Sequence, residues 1–351
     1  MFRETLTKVV GCYYVGVLNL FVEVRIREEA FQIDNSADFV WEKRNILTSN
    51  KGIIGVPTLA GSDRANDLLR DSIDIHMHTA PDVHPRSVDD VEAAVQAKEA
   101  GMRAILIKSH HTNTSDRAQI ASKASGFPVF GAIALNHAVG GLNYHAVLAA
   151  LEMGAKEVWM PTINSVPFLK RASSVPALAK AIPEGTKGIS ILDDKGRMVS
   201  ELHKIIELIA RHDVALGTGH ISQKETIVLV DEARRAGVRK ILLTHPTIDF
   251  LAYSKEQMMR LARSDVLIEH DYVICTKQVS APVPPRYLAD AIKSVGAESC
   301  IMATDGGQKI NPPPVTMLKQ FISDMLQNEI SEEEITVMIS ENPARVLGLK
   351  A

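Results

Sequence analysis

From Ser72 to the end of the chain, short apolar runs alternate with amphipathic segments, and this alternation limits the fold more than any other feature. Eight runs read as strands: Ile73–His78, Ala104–Lys108, Val129–Leu135, Glu157–Pro161, Val214–Gly219, Lys240–Thr244, Val266–His270 and Cys300–Thr304. Helical patterns lie between them. Ser87–Ala100 carries Asp89 and Asp90 in its first turn and ends at Gly101, and Glu201–Arg211 has Leu202, Ile205, Ile206 and Ile209 on one stripe. Further helices are expected at Pro314–Gln327 and Ser331–Ile339. Strands alternating with helices predict a parallel sheet. Eight such units fit an α/β (β/α)8 TIM barrel, which takes about 250 residues. An open doubly wound sheet would carry a Gly-rich phosphate turn after its first strand, and this chain has none there.

The chain has 351 residues, more than a barrel needs. Residues 1–65 are expected to form a small N-terminal extension, possible strands being suggested by alternation at Val15, Val17 and Phe21, Glu23, Arg25. Residues 66–351 are assigned to the barrel, with an insertion at about 163–199 that ends in a hairpin or lid around Asp193-Asp194-Lys195-Gly196. The apolar stretch Val9–Val24 is broken by Asn19 and Glu23 and, at about 16 residues, is too short to cross a bilayer. Val9-Val10-Gly11-Cys12 has the look of a lipoprotein cleavage site but lacks the apolar region that would precede one. A formal net charge of -3 offers no attraction to nucleic acid or to an anionic membrane. Cys12, Cys275 and Cys300 have no metal-type spacing and read as free thiols of a reducing, cytoplasmic compartment.

Polar residues with metal-binding chemistry fall at the ends of these strands. His76 and His78 are two apart on the first strand, so both project to one side and offer half of a divalent-metal site. His220 closes the fifth strand, His245 the sixth and Asp305 the eighth. Any one of them is as readily a hydrogen-bonded strand end; the coincidence of five at one end of a barrel is what points to a site. Lys108 ends the second strand and is open to three readings: a carbamylated bridge between two metals, a contact for a substrate anion, or a stem reaching to solvent. His84, Arg86, His110, His137 and His270 stand on the rim as candidate substrate contacts, Arg86 as a fork for a carboxylate. Helical His145, His203 and His212 read as structural.

This set resembles the amidohydrolase superfamily, which carries HxH on strand one, histidines on strands five and six and an aspartate on strand eight. Asn342-Pro343-Ala344-Arg345-Val346-Leu347-Gly348-Leu349 is similar to that superfamily's C-terminal helix, so the resemblance runs from Ile73 to Leu349. It implies one or two divalent metals, most often zinc, with Mn, Fe or Co as alternatives. The ligands would come from His76, His78, His220, His245, Asp305 and Lys108. It also implies Asp305 as general base to a hydrolytic water, with His245 or Lys108 polarising the carbonyl of an amide, cyclic amide, ester or lactone. One departure stands out: strand four ends Met160-Pro161-Thr162 and has no lysine or acid to bridge two metals. That keeps a mononuclear decarboxylase or carbon–carbon lyase as the second reading, with a phosphoesterase third. A barrel that only binds a metal or ligand is a different class, disfavoured by the presence of a candidate general base. The expected partner is a small-molecule substrate, in a homo-oligomer of two or more copies.

Overall fold

The computed structural model describes residues 59–174 and 182–350. Parallel strands run in chain order: β1 (Ile73–His78), β2 (Ala104–Lys108), β3 in two pieces (Val129–Phe130 and Ala132–Ala134), β4 (Glu157–Trp159), β5 (Ala215–Gly217), β6 (Ile241–Thr244), β7 (Val266–Asp271) and β8 (Cys300–Ala303). One ladder joins β1, β2 and the first piece of β3, and the other runs from the second piece of β3 through to β8. The break in β3 is made by Thr114, whose N–H donates to Ala132 O (3.0 Å) while its hydroxyl accepts from Ala132 N (2.9 Å). Just past β8 the sheet returns to β1, where Asp305 N donates to His76 O and His78 N to Gly306 O, each at 2.8 Å. That seam closes the barrel.

Both faces of the strands are buried, as a barrel wrapped in helices requires. Met77, Ile105, Ile107, Ile133, Val158, Leu216, Leu243, Ile268 and Met302 pack outward with the helix layer. Ile73, Ile75, Leu106, Ala134, Trp159, Leu242, Leu267 and Ile301 fill the interior. Each such side chain, fully buried, contributes about 1.5–3 kcal/mol.

The pairing of β1 with β2 slips between Asp74 and Met77: Asp74 lies opposite Ile105, but Met77 opposite Ile107. The extra residue is a β-bulge. It lets Ile75 and His76 both face the barrel interior, and His78 regains that face beside Lys108. Asp74 stabilises the bulge from outside, its Oδ1 accepting the His76 and Thr304 N–H groups at 3.1 and 3.2 Å.

Helices α1 (Leu59–Leu69), α2 (Asp90–Glu99), α3 (Ser115–Ser125), α4 (Tyr144–Glu152), α5 (Val166–Ser173), α6 (Ser200–His212), α7 (Gln223–Arg235), α8 (Lys255–Ala262), α9 (Pro285–Val295), α10 (Pro314–Gln327), α11 (Glu332–Thr336) and α12 (Asn342–Leu347) complete the described residues. Helix α2 starts later than expected because Asp89 is its N-cap, in a capping box with Glu92. The residues before it belong to the loop over the seam, where Ser87 N donates to Gly307 O. The helix expected at Ser331–Ile339 is α11, continued by a π-helical turn at Val337–Glu341 into α12. Ala344, Val346 and Leu347 of α12 plug the N-terminal end of the barrel.

Most of the extension expected over residues 1–65 lies outside the described residues, as does Cys12. Its described end is helical: α1 begins at Leu59, and Ala65 and Leu69 enter the main core. In the expected insertion, α5 is followed by an antiparallel Leu192–Met198 bridge around the Asp193 turn, the small hairpin anticipated there. No helix among the described residues is long and apolar enough to cross a membrane.

Candidate metal centre

The five strand-end residues converge. His76 Nε2 and His78 Nε2 lie 3.3 and 3.0 Å from the same oxygen, Asp305 Oδ1, and the three donor atoms are all within 4.8 Å of one another. Across the barrel mouth His220 Nε2 and His245 Nε2 are 3.0 Å apart, and the His76 and His245 rings are 5.2 Å apart. Two backbone outliers aim the last residues of this group. His245 has φ +30° and Asp305 φ +42°, the left-handed region that costs a non-glycine residue on the order of 1–3 kcal/mol. His245 follows directly on β6 and Asp305 stands two residues beyond β8, so the turn of the backbone brings each side chain inward over the barrel axis.

Two carboxylates orient the histidines from below. Glu269 Oε1 is 2.6 Å from His76 Nδ1, and Asp271 Oδ2 is 2.7 Å from His245 Nδ1. With Nδ1 occupied, Nε2 of each ring is the atom presented to the site. Asp271 also lies 3.4 Å from His76 Nδ1, so the grouping of His76, His245 and Asp271 is a hydrogen-bonded support rather than a ligand set. Glu269 and Asp271 are completely buried. They were not among the expected site residues: Asp271 stands one residue beyond the expected end of its strand, and Glu269 one residue before it. Alternation along a strand with an apolar Leu267 facing inward is the signal that would have found them.

Electrostatics favour a cation. Burial holds the His78 imidazole down to about 3, with Arg86 adding to the effect, and burial also keeps His220 and His110 well below the ordinary histidine value. These rings are neutral; because Arg86 donates to Nδ1 of His78, the proton of that ring sits on Nε2 facing Asp305 and would have to leave for the ring to serve as a ligand there. Burial works against ionisation of Asp305, yet His76 and His78 hold its carboxyl well below the usual carboxylate range. Burial and Lys108 oppose a charge on His76, but Asp271, Asp305 and Glu269 together raise it well above the ordinary value. Burial meanwhile lowers Lys108, whose Nζ is 2.8 Å from His76 Nε2. The two groups lie among three carboxylates, Glu269, Asp271 and Asp305. Neutral imidazoles, an ionised aspartate and surplus negative charge are what a divalent ion requires. Donor atoms around a tetrahedral ion lie about 3.4 Å apart, given ligand bonds of roughly 2.0–2.2 Å. The 3.0 and 3.3 Å separations fit that spacing. Among the described residues, His220 Nδ1 is buried without a hydrogen-bond partner.

The remaining candidates divide. Lys108 is in the centre, over the Trp159 ring at 4.5 Å. Arg86 is there too: Nη2 donates to His78 Nδ1 at 3.2 Å and to Asp82 Oδ2 at 3.1 Å, while its Nε is buried and unpartnered. His110 lies against His78, with ring centroids 4.7 Å apart, and its Nδ1 is 2.9 Å from Thr162 Oγ1. His84 stands farther out, beside His111 at 5.5 Å. His137 is not brought in: it is exposed in a short 3₁₀ turn, its Nε2 on Lys187 O at 2.8 Å. His270 faces the other way. Between the inward Glu269 and Asp271 it must point to the helix layer, where its Nε2 is 3.6 Å from Cys300 Sγ. Phe168 of α5 stacks on His220 at 5.5 Å, and Phe250 meets the same ring at 5.3 Å.

Residues 71–269, more than half of the chain, match the sequence model of the Family of unknown function (DUF6282). The chain belongs to this family. No curated protein matches it. Solved structures similar to this DUF6282 chain are barrels. A 2-pyrone-4,6-dicarboxylic acid hydrolase candidate from Pseudomonas putida is similar at 13% identity and TM-score 0.54, over 80% of this chain and 98% of that one. An amidohydrolase from Pseudomonas aeruginosa is similar at 12% identity and TM-score 0.52, over 82% of this chain and 98% of that one. A 2,6-dihydroxybenzoate decarboxylase is similar at 10% identity and TM-score 0.50, over 80% of this chain and all of the other. At such identities the likeness is one of fold. The DUF6282 chain therefore has a TIM-barrel fold.

Proposed function

We propose that the chain is a metal-dependent hydrolase that cleaves an amide, cyclic amide, ester or lactone in a small molecule. One observation carries the reading. Asp305 touches both imidazoles of the HxH pair, and its side chain is 16% exposed whereas those of His76 and His78 are at most 1% exposed. It is thus where solvent and substrate first meet the centre. His76, His78 and Asp305 would hold a divalent ion, with His220 and His245 as further ligands, zinc being the best match to this donor set. When bound, such an ion supplies Lewis acidity, polarising a carbonyl and lowering the pKa of a water to about 7.

The protein groups do the rest. Asp305 takes the proton of the attacking water and passes it to the leaving group. His245 is held at Nδ1 by Asp271, so Nε2 is its one free atom: it would either join the ligands or, protonated, polarise the carbonyl in their place. Arg86 is anchored by Asp82 and keeps a free Nε edge at the site, which suits a carboxylate on the substrate. The second reading, a mononuclear decarboxylase or carbon–carbon lyase, is supported by β4. Its inward end is Trp159, which offers no bridge for a second metal.

The test begins with elemental analysis of protein purified without chelators. It continues with a panel of N-acyl compounds, cyclic amides, lactones and aromatic carboxylates, read by acid release and by CO₂ release. Acid release that falls about 10²–10⁴-fold in Asp305→Asn, with metal retained, is the expected result. CO₂ release instead would move the assignment to the decarboxylase, and undiminished turnover in the variant would remove Asp305 from the chemistry.

A further inference from the structure

Two buried groups in the barrel have no part in this reading. Glu157 opens β4 and faces the interior, completely buried, and neither of its carboxyl oxygens has a hydrogen-bond partner. Lys108 packs on the same indole: its Nζ lies 4.5 Å over Trp159, the His76 ring is 5.4 Å from it, and Trp159 Nε1 is likewise unpartnered. Gly217 on the adjoining β5 leaves the room, since a Cβ there would come within 2.5 Å of Glu157 Oε1 and 2.7 Å of Trp159 Nε1. An isolated buried carboxyl costs several kcal/mol. Burial answers that cost by raising the Glu157 carboxyl well above the usual carboxylate range, so it keeps its proton here; an ammonium group brought beside it would let it ionise and give it the partner it lacks.

The geometry at His76 supplies it. Nε2 has one lone pair or one proton, and Lys108 Nζ at 2.8 Å uses it either way. The same nitrogen must be free if His76, His78 and Asp305 are to share an ion. Lys108 cannot stay where it is when the ion enters. On this basis, which rests on the metal reading above, we propose that Lys108 is the placeholder of the empty centre and that Glu157 is its docking partner in the loaded one. A pivot of the lysine stem across the face of Trp159 carries the amino group from His76 to Glu157. The vacated point receives the ion, and the displaced positive charge stays inside the barrel on a carboxylate with no other role. Glu157 is a positioning residue in this scheme. It touches neither ion nor substrate, and Lys108 is not a ligand.

Zn²⁺ titration of chelator-treated protein against a chromophoric competitor tests this, with Co²⁺ absorption as a record of the ligand set. Lys108→Met removes the placeholder and should raise Zn²⁺ affinity about tenfold or more. Glu157→Gln removes the docking partner and should lower affinity about tenfold, with the Co²⁺ spectrum unchanged. The Glu157→Gln effect should shrink to less than about twofold in the Lys108→Met background, because the two act as one unit. Loss of a metal equivalent or a changed Co²⁺ spectrum in Lys108→Met would make the lysine a ligand and overturn the proposal. Wild-type affinity in Glu157→Gln would overturn it as well, independently of whether Lys108→Met folds. Wild-type protein that binds no Zn²⁺ would instead remove the metal reading itself, and the inference with it.

Discussion

At the scale of single residues the centre is a set of histidines whose orientation is fixed by carboxylates beneath them. Glu269 fixes the tautomer of His76, so Glu269→Gln, which keeps the shape but weakens the hold on Nδ1–H, should reduce metal affinity about 10–100-fold without unfolding the protein. Equilibrium Zn²⁺ titration measures this, and an unchanged affinity would show that Glu269 only balances charge. The ligand candidates were legible in the sequence because all but His76 occupy the same place, the last residue of a strand or one to three beyond it, and His76 is tied to His78 by the two-residue spacing. Glu157, Glu269, Asp271 and Trp159 were not, because a carboxylate inside a barrel and one on its rim are the same letter. Only the direction of the strand decides, and for β7 that depends on whether Leu267 or Ile268 turns inward. His270 was misjudged for the same reason.

At the scale of elements, β1 is the piece on which the centre depends. Asp74 has two states there. Burial raises its carboxyl to about 7, against donors from Thr304 and the His76 backbone. Thr304 Oγ1 donates to its Oδ2 at 2.6 Å and lies 3.2 Å from His76 O. A folded-state pKa above the unfolded value of 3.8 means that the native protein holds the extra proton between these two values. Its contribution to stability is complete below the unfolded value and is lost as pH rises through about 7, at up to about 1.4 kcal/mol per pH unit. Asp74→Asn, whose amide can donate as the protonated acid does, removes that slope. Urea midpoints in chelator should agree for the two proteins at about pH 4.5 and separate toward about pH 7.5, with the wild type lower. Parallel curves would place the Asp74 titration elsewhere. Strand limits in the sequence were close to those observed, since apolar runs in a parallel barrel are bounded by polar residues on both sides. The interruption of β3 was hidden because it is made by Thr114, a residue from a different segment.

Over the whole molecule, the barrel separates stability from chemistry along its axis. The helix α12 closes one end with Ala344, Val346 and Leu347, and Asn342 Nδ2 ties it to the carbonyls of Ala297, Glu298 and Cys300 at 3.2, 3.1 and 2.8 Å. Leu347→Ala should cost about 2–5 kcal/mol in urea unfolding while leaving Zn²⁺ affinity within about twofold. A coupled loss of both would mean that the plug sets the geometry of the opposite end. The barrel class was readable from eight alternations alone, because no other arrangement of eight such units buries every strand on both faces.

The bulge in β1 also limits how the HxH pair could be moved. A six-residue Ile-Asp-Ile-His-Met-His segment grafted onto a regular strand of another barrel would keep its histidines on a common side. Without the surplus residue opposite Leu106, that side would be the helix layer whenever Ile73 still points to the axis. A transplant therefore has to carry the irregularity with it, together with an Asp74-like acceptor for the amide it frees. Deletion of Ile75 would instead restore a regular strand with both histidines still toward the axis, one interior side chain poorer.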